Sequence, residues 1–199
     1  MMETMVPIPW LVLRRRSPDL ARWRAAGVSA TADLAVGWRE DRYAGVARDA
    51  GARGFDRARE RILHYTFFPP DRVTGTVDAP DGIVVPGATI VQRVRVGLVG
   101  FESGTRVVAL ADGADEAGLR SVRFSYATLV GHPEAGIATF AATEMGEGDV
   151  AITIVTRSRA QAWWARLGWP ITRHLQLDTN RRVVARLVAI AEGREEGVI

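Results

Sequence analysis

The hydrophobic positions change period along the chain, and the changes mark out its elements. Leu20 and Trp23 share one helical face, behind Ser17 as a cap and Pro18 in the first turn, and Gly27 ends this short helix. Residues 28–49 are poorly periodic, with one short strand expected at 41–46, and 51–54 reads as a glycine-bounded flexible joint. A helix is clear over 55–65: Phe55, Ala58, Ile62 and Tyr65 recur at spacings of three and four, with Arg57, Arg59, Glu60 and Arg61 largely opposite. Phe68-Pro69-Pro70 stops it.

From there the period falls to two. Strand-like runs cover 72–77, 88–98, 105–111, 119–130, 137–144 and 150–158, separated by turn residues such as Asp81-Gly82, Pro86-Gly87, Asp112-Gly113 and Gly148-Asp149. Connections this short require antiparallel pairing, because parallel crossovers need a dozen or more residues. Val122, Phe124, Tyr126, Thr128 and Val130 form one side of their strand, against Ser121, Arg123 and Ser125. Ile90, Gln92, Val94 and Val96 oppose Thr89, Arg93 and Arg95, while Ile152, Ile154 and Thr156 oppose Thr153 and Arg157. The sheet therefore has one apolar face that must be covered. The cover is the helical pattern of 160–192, with Leu175, Val183, Leu187 and Ile190 on one side and a kink or break expected at Gly168-Trp169-Pro170.

These elements predict an α+β, helix-grip fold: six or seven curved antiparallel strands wrapped around a long C-terminal helix, with space between helix and sheet. The competing architecture packs helices flat on the sheet with no cavity. The expected organisation is an N-terminal segment, 1–50, with its short helix packed on a helix-grip domain, 51–192, and a frayed tail, 193–199.

Composition narrows the chemistry. The 199 residues contain no cysteine, which excludes disulfides, thiolate metal sites and cysteine nucleophiles and fits a cytoplasmic protein. All 26 basic residues are arginine, yet the formal net charge is only +3. No basic stripe with interleaved aromatics is present, so nucleic acid is not an expected partner. The apolar run 5–13 precedes Arg14-Arg15-Arg16, the reverse of a signal peptide, and is too short to span a bilayer. It reads as a segment that docks on the domain or on a partner subunit, with a homodimer possible; a membrane-surface anchor is the alternative, and integral insertion is not expected.

Several motifs together carry a resemblance. GFDRARERIL with Phe55 and Ala58, Pro86-Gly87-Ala88 before a strand, YATLVGHPEAG from Tyr126, and SRAQAWWARLGWPITRHLQ from Ser158 resemble the domain of unknown function nineteen-ninety family. That family is grouped with the START-like, or SRPBCC, helix-grip superfamily. The resemblance spans about 55–187 and implies the fold, not an activity. Two departures stand out. Ile137 and Ala138 occupy the place of a usual acidic pair, and Ser158-Arg159-Ala160 replaces Ser-Arg-Pro.

The candidate chemistry gathers around 126–140. His132, Glu134 and Tyr126 have the groups for proton transfer near neutral pH. Alternatively, Gly131 and Gly136 allow a tight corner, Pro133 fixes it, and His132 and Glu134 bond neighbouring backbone. Gln92, Thr128 and Thr156, polar on the apolar faces, either bond one another or orient a ligand. With them, Phe124, Phe140, Ile154, Trp163 and Leu167 are the expected ligand-binding residues. Trp163 and Trp164 cannot share one face, so one of them belongs at a rim or interface. Arg166, Arg173, Arg181, Arg182 and Arg186 read as a solvated helix face.

No metal site is expected, since HExxH spacing is absent and only His64 and His174 accompany His132. The chain also lacks GxSxG, GxGxxG and P-loop spacing, and no cofactor is expected. Three functions remain open: a cavity that binds a hydrophobic or amphipathic small molecule, a cofactor-independent cyclase, dehydratase or isomerase acting on a polyketide-like substrate, and a non-catalytic scaffold or oligomer subunit. The superfamily resembled holds both binders and enzymes.

Overall fold

The structure is a computed structural model that describes residues 17–29, 38–96, 99–160 and 169–195. In chain order the elements are α1 (Leu20–Ala25), β1 (Arg39–Ala47), α2 (Gly51–Leu63), β2 (Val73–Asp78), β3 (Thr89–Val96), β4 (Val99–Ala114), β5 (Arg120–Thr128), β6 (Glu134–Glu144), β7 (Val150–Ala160) and α3 (Trp169–Ala191). All seven strands join one antiparallel sheet in the order β1-β7-β6-β5-β4-β3-β2. β1 and β2 are its open edges, and α2 and α3 cover the inner face: this is the helix-grip arrangement.

Period-two patterning puts the core where it was expected. Val122, Phe124, Ile152 and Ile154 are all fully buried on the inner face, and Phe124 stacks on Phe140 with ring centroids 5.2 Å apart. Phe55, Ala58 and Ile62 of α2 and Val183, Val184 and Leu187 of α3 complete this core. The alternation ends at Thr128, however. Leu129 bridges to Val28, and Val130 swings out to 58% exposure, so it does not belong to the inner side.

The outer face is not wholly solvated either. Trp23 of α1 packs with Val91 and Leu129 as a second, smaller cluster, and its indole N–H donates to Glu102 Oε1 at 3.0 Å. Thr89, expected on the solvent side, is buried. The cap of α1 is Asp19, not Ser17: its carboxylate accepts from the Arg22 N–H at 3.0 Å.

Other boundaries shift for physical reasons. Residues 51–54 form the first turn of α2 and not a joint. Gly54 is required there by close approach, since a Cβ would lie 2.7 Å from the Ala191 carbonyl oxygen. Arg57 donates to the carbonyls of Ile190 and Ala191, so α2 caps the C-terminal end of α3. β4 runs for 16 residues, and β7 continues to Ala160 where a helix was expected to begin. The kink or break expected at Gly168-Trp169-Pro170 falls at the edge of the described residues, α3 being described from Trp169 onward. Trp163, Trp164, Arg166, Leu167, the apolar run 5–13 and Arg14-Arg15-Arg16 lie outside the described residues. No helix among the described residues is long and apolar enough to cross a membrane.

Candidate functional site

α3 rests on β1, β7 and α2, and leaves the inner face of β3 to β6 partly uncovered. A cavity of about 200 Å³ occupies that space, below the roughly 300–1,000 Å³ of typical small-molecule sites. Its existence depends on small side chains. Gly136 and Ala138 of β6 line it, and the register places Thr156 opposite Ala138 and Ser158 opposite Gly136 on one flank. Tyr126 stands opposite Ala138 on the other. Hydroxyl groups thus border a shallow floor. At Gly136 a Cβ would fall 2.8 Å from the Arg157 carbonyl oxygen, so glycine is needed there. Phe68, Val73, Val94, Phe101 and Leu175 supply apolar wall, and Gln176, Thr179 and Asn180 of α3 supply polar wall.

Most hydroxyls at the floor are already engaged. Thr128 Oγ1 accepts from the Gly136 N–H at 2.9 Å and lies 2.7 Å from Ser29 Oγ, so it ties β5 to β6. Gln92 Nε2 donates to the Tyr65 hydroxyl at 2.5 Å, and Ser103 Oγ donates to Gln92 Oε1 at 3.5 Å. The Tyr126 ring lies edge-on to that of Tyr65, with centroids 6.3 Å apart. Burial pushes both phenols above their ordinary pKa, which keeps them protonated at neutral pH.

Thr156 differs. Its Oγ1 is buried, with the residue only 7% exposed, and no hydrogen-bond partner among the described residues reaches it although it lines the cavity. A buried hydroxyl left unpaired costs about 1–3 kcal/mol.

His132 and Glu134 lie at the corner, where Gly131 adopts φ 96°. Glu134 is the first residue of β6 and not part of the turn. His132 Nδ1 stands 3.0 Å from the Glu134 N–H and 2.8 Å from the Glu134 carbonyl oxygen, so this nitrogen is held by backbone in either tautomer. Burial pushes the imidazole down to about 4, leaving it neutral at pH 7. The other nitrogen, Nε2, is bonded to none of the described residues.

The Glu134 carboxylate accepts from Gln176 Nε2 at 3.1 Å. Burial raises its pKa, against the opposing pull of Ser158, the Arg173 charge and Gln176. Behind it, Arg173 forms a two-point ion pair with Asp41 of β1 and donates to Gln176 Oε1 at 3.0 Å. That second bond orients the Gln176 amide, so its NH2 faces Glu134.

The structure therefore brings Tyr126, His132, Glu134, Gln92, Thr128 and Thr156 to one cavity. Phe124, Phe140 and Ile154 are instead sealed in the core and do not line it, because their row of the sheet lies under the aromatic cluster with Phe67 and Tyr65. Arg173 is not on a solvated face: its side chain is 13% exposed and committed to Asp41. Arg186 is similarly enclosed, bonded to the Phe68 carbonyl and Glu195. Sequence reasoning missed Tyr65, Ser103, Ser158, Gln176 and Asn180. Ser158 was within reach of the period-two rule, being two residues beyond Thr156 on the same face. Among the described residues no three His, Asp or Glu side chains converge as a metal site would require.

Comparison with known proteins agrees with this architecture. Protein TTHA0849 from Thermus thermophilus superposes with a TM-score of 0.52 at 10% identity, over 79% of this chain and 100% of its own. Hypothetical protein jhp0584 from Helicobacter pylori gives 0.50 at 9% identity, over 96% and 99%. Norcoclaurine synthase from Thalictrum flavum gives 0.48 at 12% identity, over 81% and 90%, too low a score to carry an argument. Identities of this size show the fold alone. No curated protein matches the sequence. The family profile called Domain of unknown function (DUF1990) matches residues 24–186, most of the chain, and the protein belongs to that family.

Proposed function

We propose that the protein binds a small amphipathic molecule in the cavity between the sheet and α3. The observation that carries this reading is the Thr156 hydroxyl. It is buried and unpaired among the described residues, in a wall where the Thr128 and Ser103 hydroxyls are paired, and a ligand would supply its partner. Mixed lining favours an amphipathic occupant over a purely apolar one: Phe68, Phe101 and Leu175 line it together with Gln176, Asn180 and Glu134. Native mass spectrometry of gently purified protein tests this. A small-molecule adduct released by denaturation is expected. Protein of apo mass only, from several expression hosts, would overturn the reading.

One observation favours a second reading, a cofactor-independent cyclase, dehydratase or isomerase acting on a polyketide-like substrate. His132 presents an unengaged Nε2 as a neutral imidazole on the same cavity as Tyr126 and Glu134, which suits proton transfer. Under that reading His132→Ala and Tyr126→Phe abolish turnover of a polyketide-like substrate at nearly unchanged melting temperature. If both variants instead melt early, these residues serve the fold.

A further inference from the structure

The charges around the cavity are unequal in kind. Asp41 and Arg173 neutralise one another in a pair that is almost enclosed, with side chains 17% and 13% exposed. His132 is neutral at pH 7. Among the described residues Glu134 is then the one carboxylate on the cavity wall. Its side-chain donor there is the neutral Gln176 amide, with the Arg173 charge already matched by Asp41. A carboxylate in that position repels anions and attracts a cation, and low local polarity magnifies both effects.

Among the described residues three arginines reach the cavity, Arg72, Arg95 and Arg157, and Arg72 is half-buried. Arg95 and Arg157 are exposed. Arg157 is bonded to Glu40, and Arg72 stands 3.8 Å from both Asp71 and Asp178. Charges in water are screened within about 8–10 Å. They act on approach to the site more than on what is held inside it.

Resting on the binding reading above, we propose that the ligand is a compact amphipathic amine, its ammonium paired with Glu134, its polar end donating to the Thr156 hydroxyl, and its hydrocarbon part against Phe68, Phe101 and Leu175. Thr156 stands two residues before Ser158 on the same face of β7, and both line the cavity with Glu134, so the free hydroxyl and the carboxylate share one wall. A ligand carboxylate would leave Glu134 facing a like charge.

Three probes with the same ring and chain length separate the possibilities: phenethylamine, 2-phenylethanol and phenylacetate, each titrated calorimetrically into the full-length protein at pH 7.5. Phenethylamine is expected to bind at least about tenfold more tightly than 2-phenylethanol, with phenylacetate weakest. Glu134→Gln keeps an acceptor for Gln176, and should bring the amine within about twofold of the alcohol measured on the same variant. Phenylacetate binding as tightly as the amine, or an amine preference that survives Glu134→Gln, would overturn the proposal. The wild-type ranking decides the matter even where the variant does not fold. If none of the three binds while a native adduct is still seen by mass spectrometry, the amine is refuted and the cavity reading stands.

Discussion

Arg173 of α3 holds Asp41 of β1 across 132 positions of sequence, with Nη1 donating to Oδ2 at 2.6 Å and Nη2 to Oδ1. The pair fastens an edge strand to the covering helix, and through Gln176 it sets the orientation of the donor that faces Glu134. Removing one partner of a nearly enclosed ion pair strands the other charge. Arg173→Met is therefore expected to cost about 2–3 kcal/mol, somewhat below the figure for fully buried pairs because both side chains touch solvent. Urea unfolding of Arg173→Met, Asp41→Asn and the double variant checks this. The double variant should lose clearly less than the sum of the singles, and simple additivity would mean the pair is not coupled.

Tyr65 occupies the left-handed region, φ 56°, just past the end of α2, where helices usually place glycine. The Thr66 N–H bonds the Arg61 carbonyl at 3.0 Å in the closing turn. A bulky residue tolerates this strain, worth about 1–2 kcal/mol, only when its side chain is needed. Here the ring packs over Gly75 and the hydroxyl accepts from Gln92. Tyr65→Phe should cost about 1–2 kcal/mol by leaving the buried Gln92 amide short of its acceptor. Denaturant midpoints measure it, and a loss under about 0.3 kcal/mol would show that Gln92 finds another partner.

The pH dependence of stability carries the signature of His132. Its folded pKa of about 4 lies below the ordinary value of 6.5, so between those two pH values the unfolded chain binds more protons. Stability contributed by the neutral imidazole is thus present above pH 6.5 and is lost as pH falls towards 4, by at most about 3 kcal/mol. Glu134, whose pKa is raised by burial, acts with opposite sign: its contribution falls as pH rises from the ordinary carboxylate range through its folded value. His132→Asn, which keeps an acceptor for the Glu134 N–H, should flatten the acid limb in urea titrations from pH 7 to 4. Parallel limbs for the two proteins would contradict the assignment.

The sheet and its covering helix were legible because alternation and helical spacing are local. β1 was barely legible: as an edge strand carrying Arg39, Glu40, Asp41 and Arg42, it lacks the clean alternation of a strand with one buried face. Gly54 was misread because a glycine needed for close approach of two helices looks, in sequence, like one needed for flexibility. Tyr126, Gln92 and Thr156 were found as polar residues on an apolar face. Phe124, Phe140 and Ile154 obey the same alternation, and only the position of α2 and α3 decides which rows of the inner face are sealed and which border the cavity. The Asp41–Arg173 link was out of reach for the same reason, since no local rule joins an edge strand to a helix that distant in the chain.

The central claim, that the space over Gly136 and Ala138 is a binding site, can be tested by filling it. Ala138→Leu places three more carbons where the cavity floor has room, so the fold should survive with little change in melting temperature. Native mass spectrometry of the wild type and of Ala138→Leu, purified side by side, is the direct measurement. The wild type should carry a small-molecule adduct and Ala138→Leu should run at its bare mass. A wild type without adduct, or the same adduct at the same occupancy on Ala138→Leu, would contradict the account.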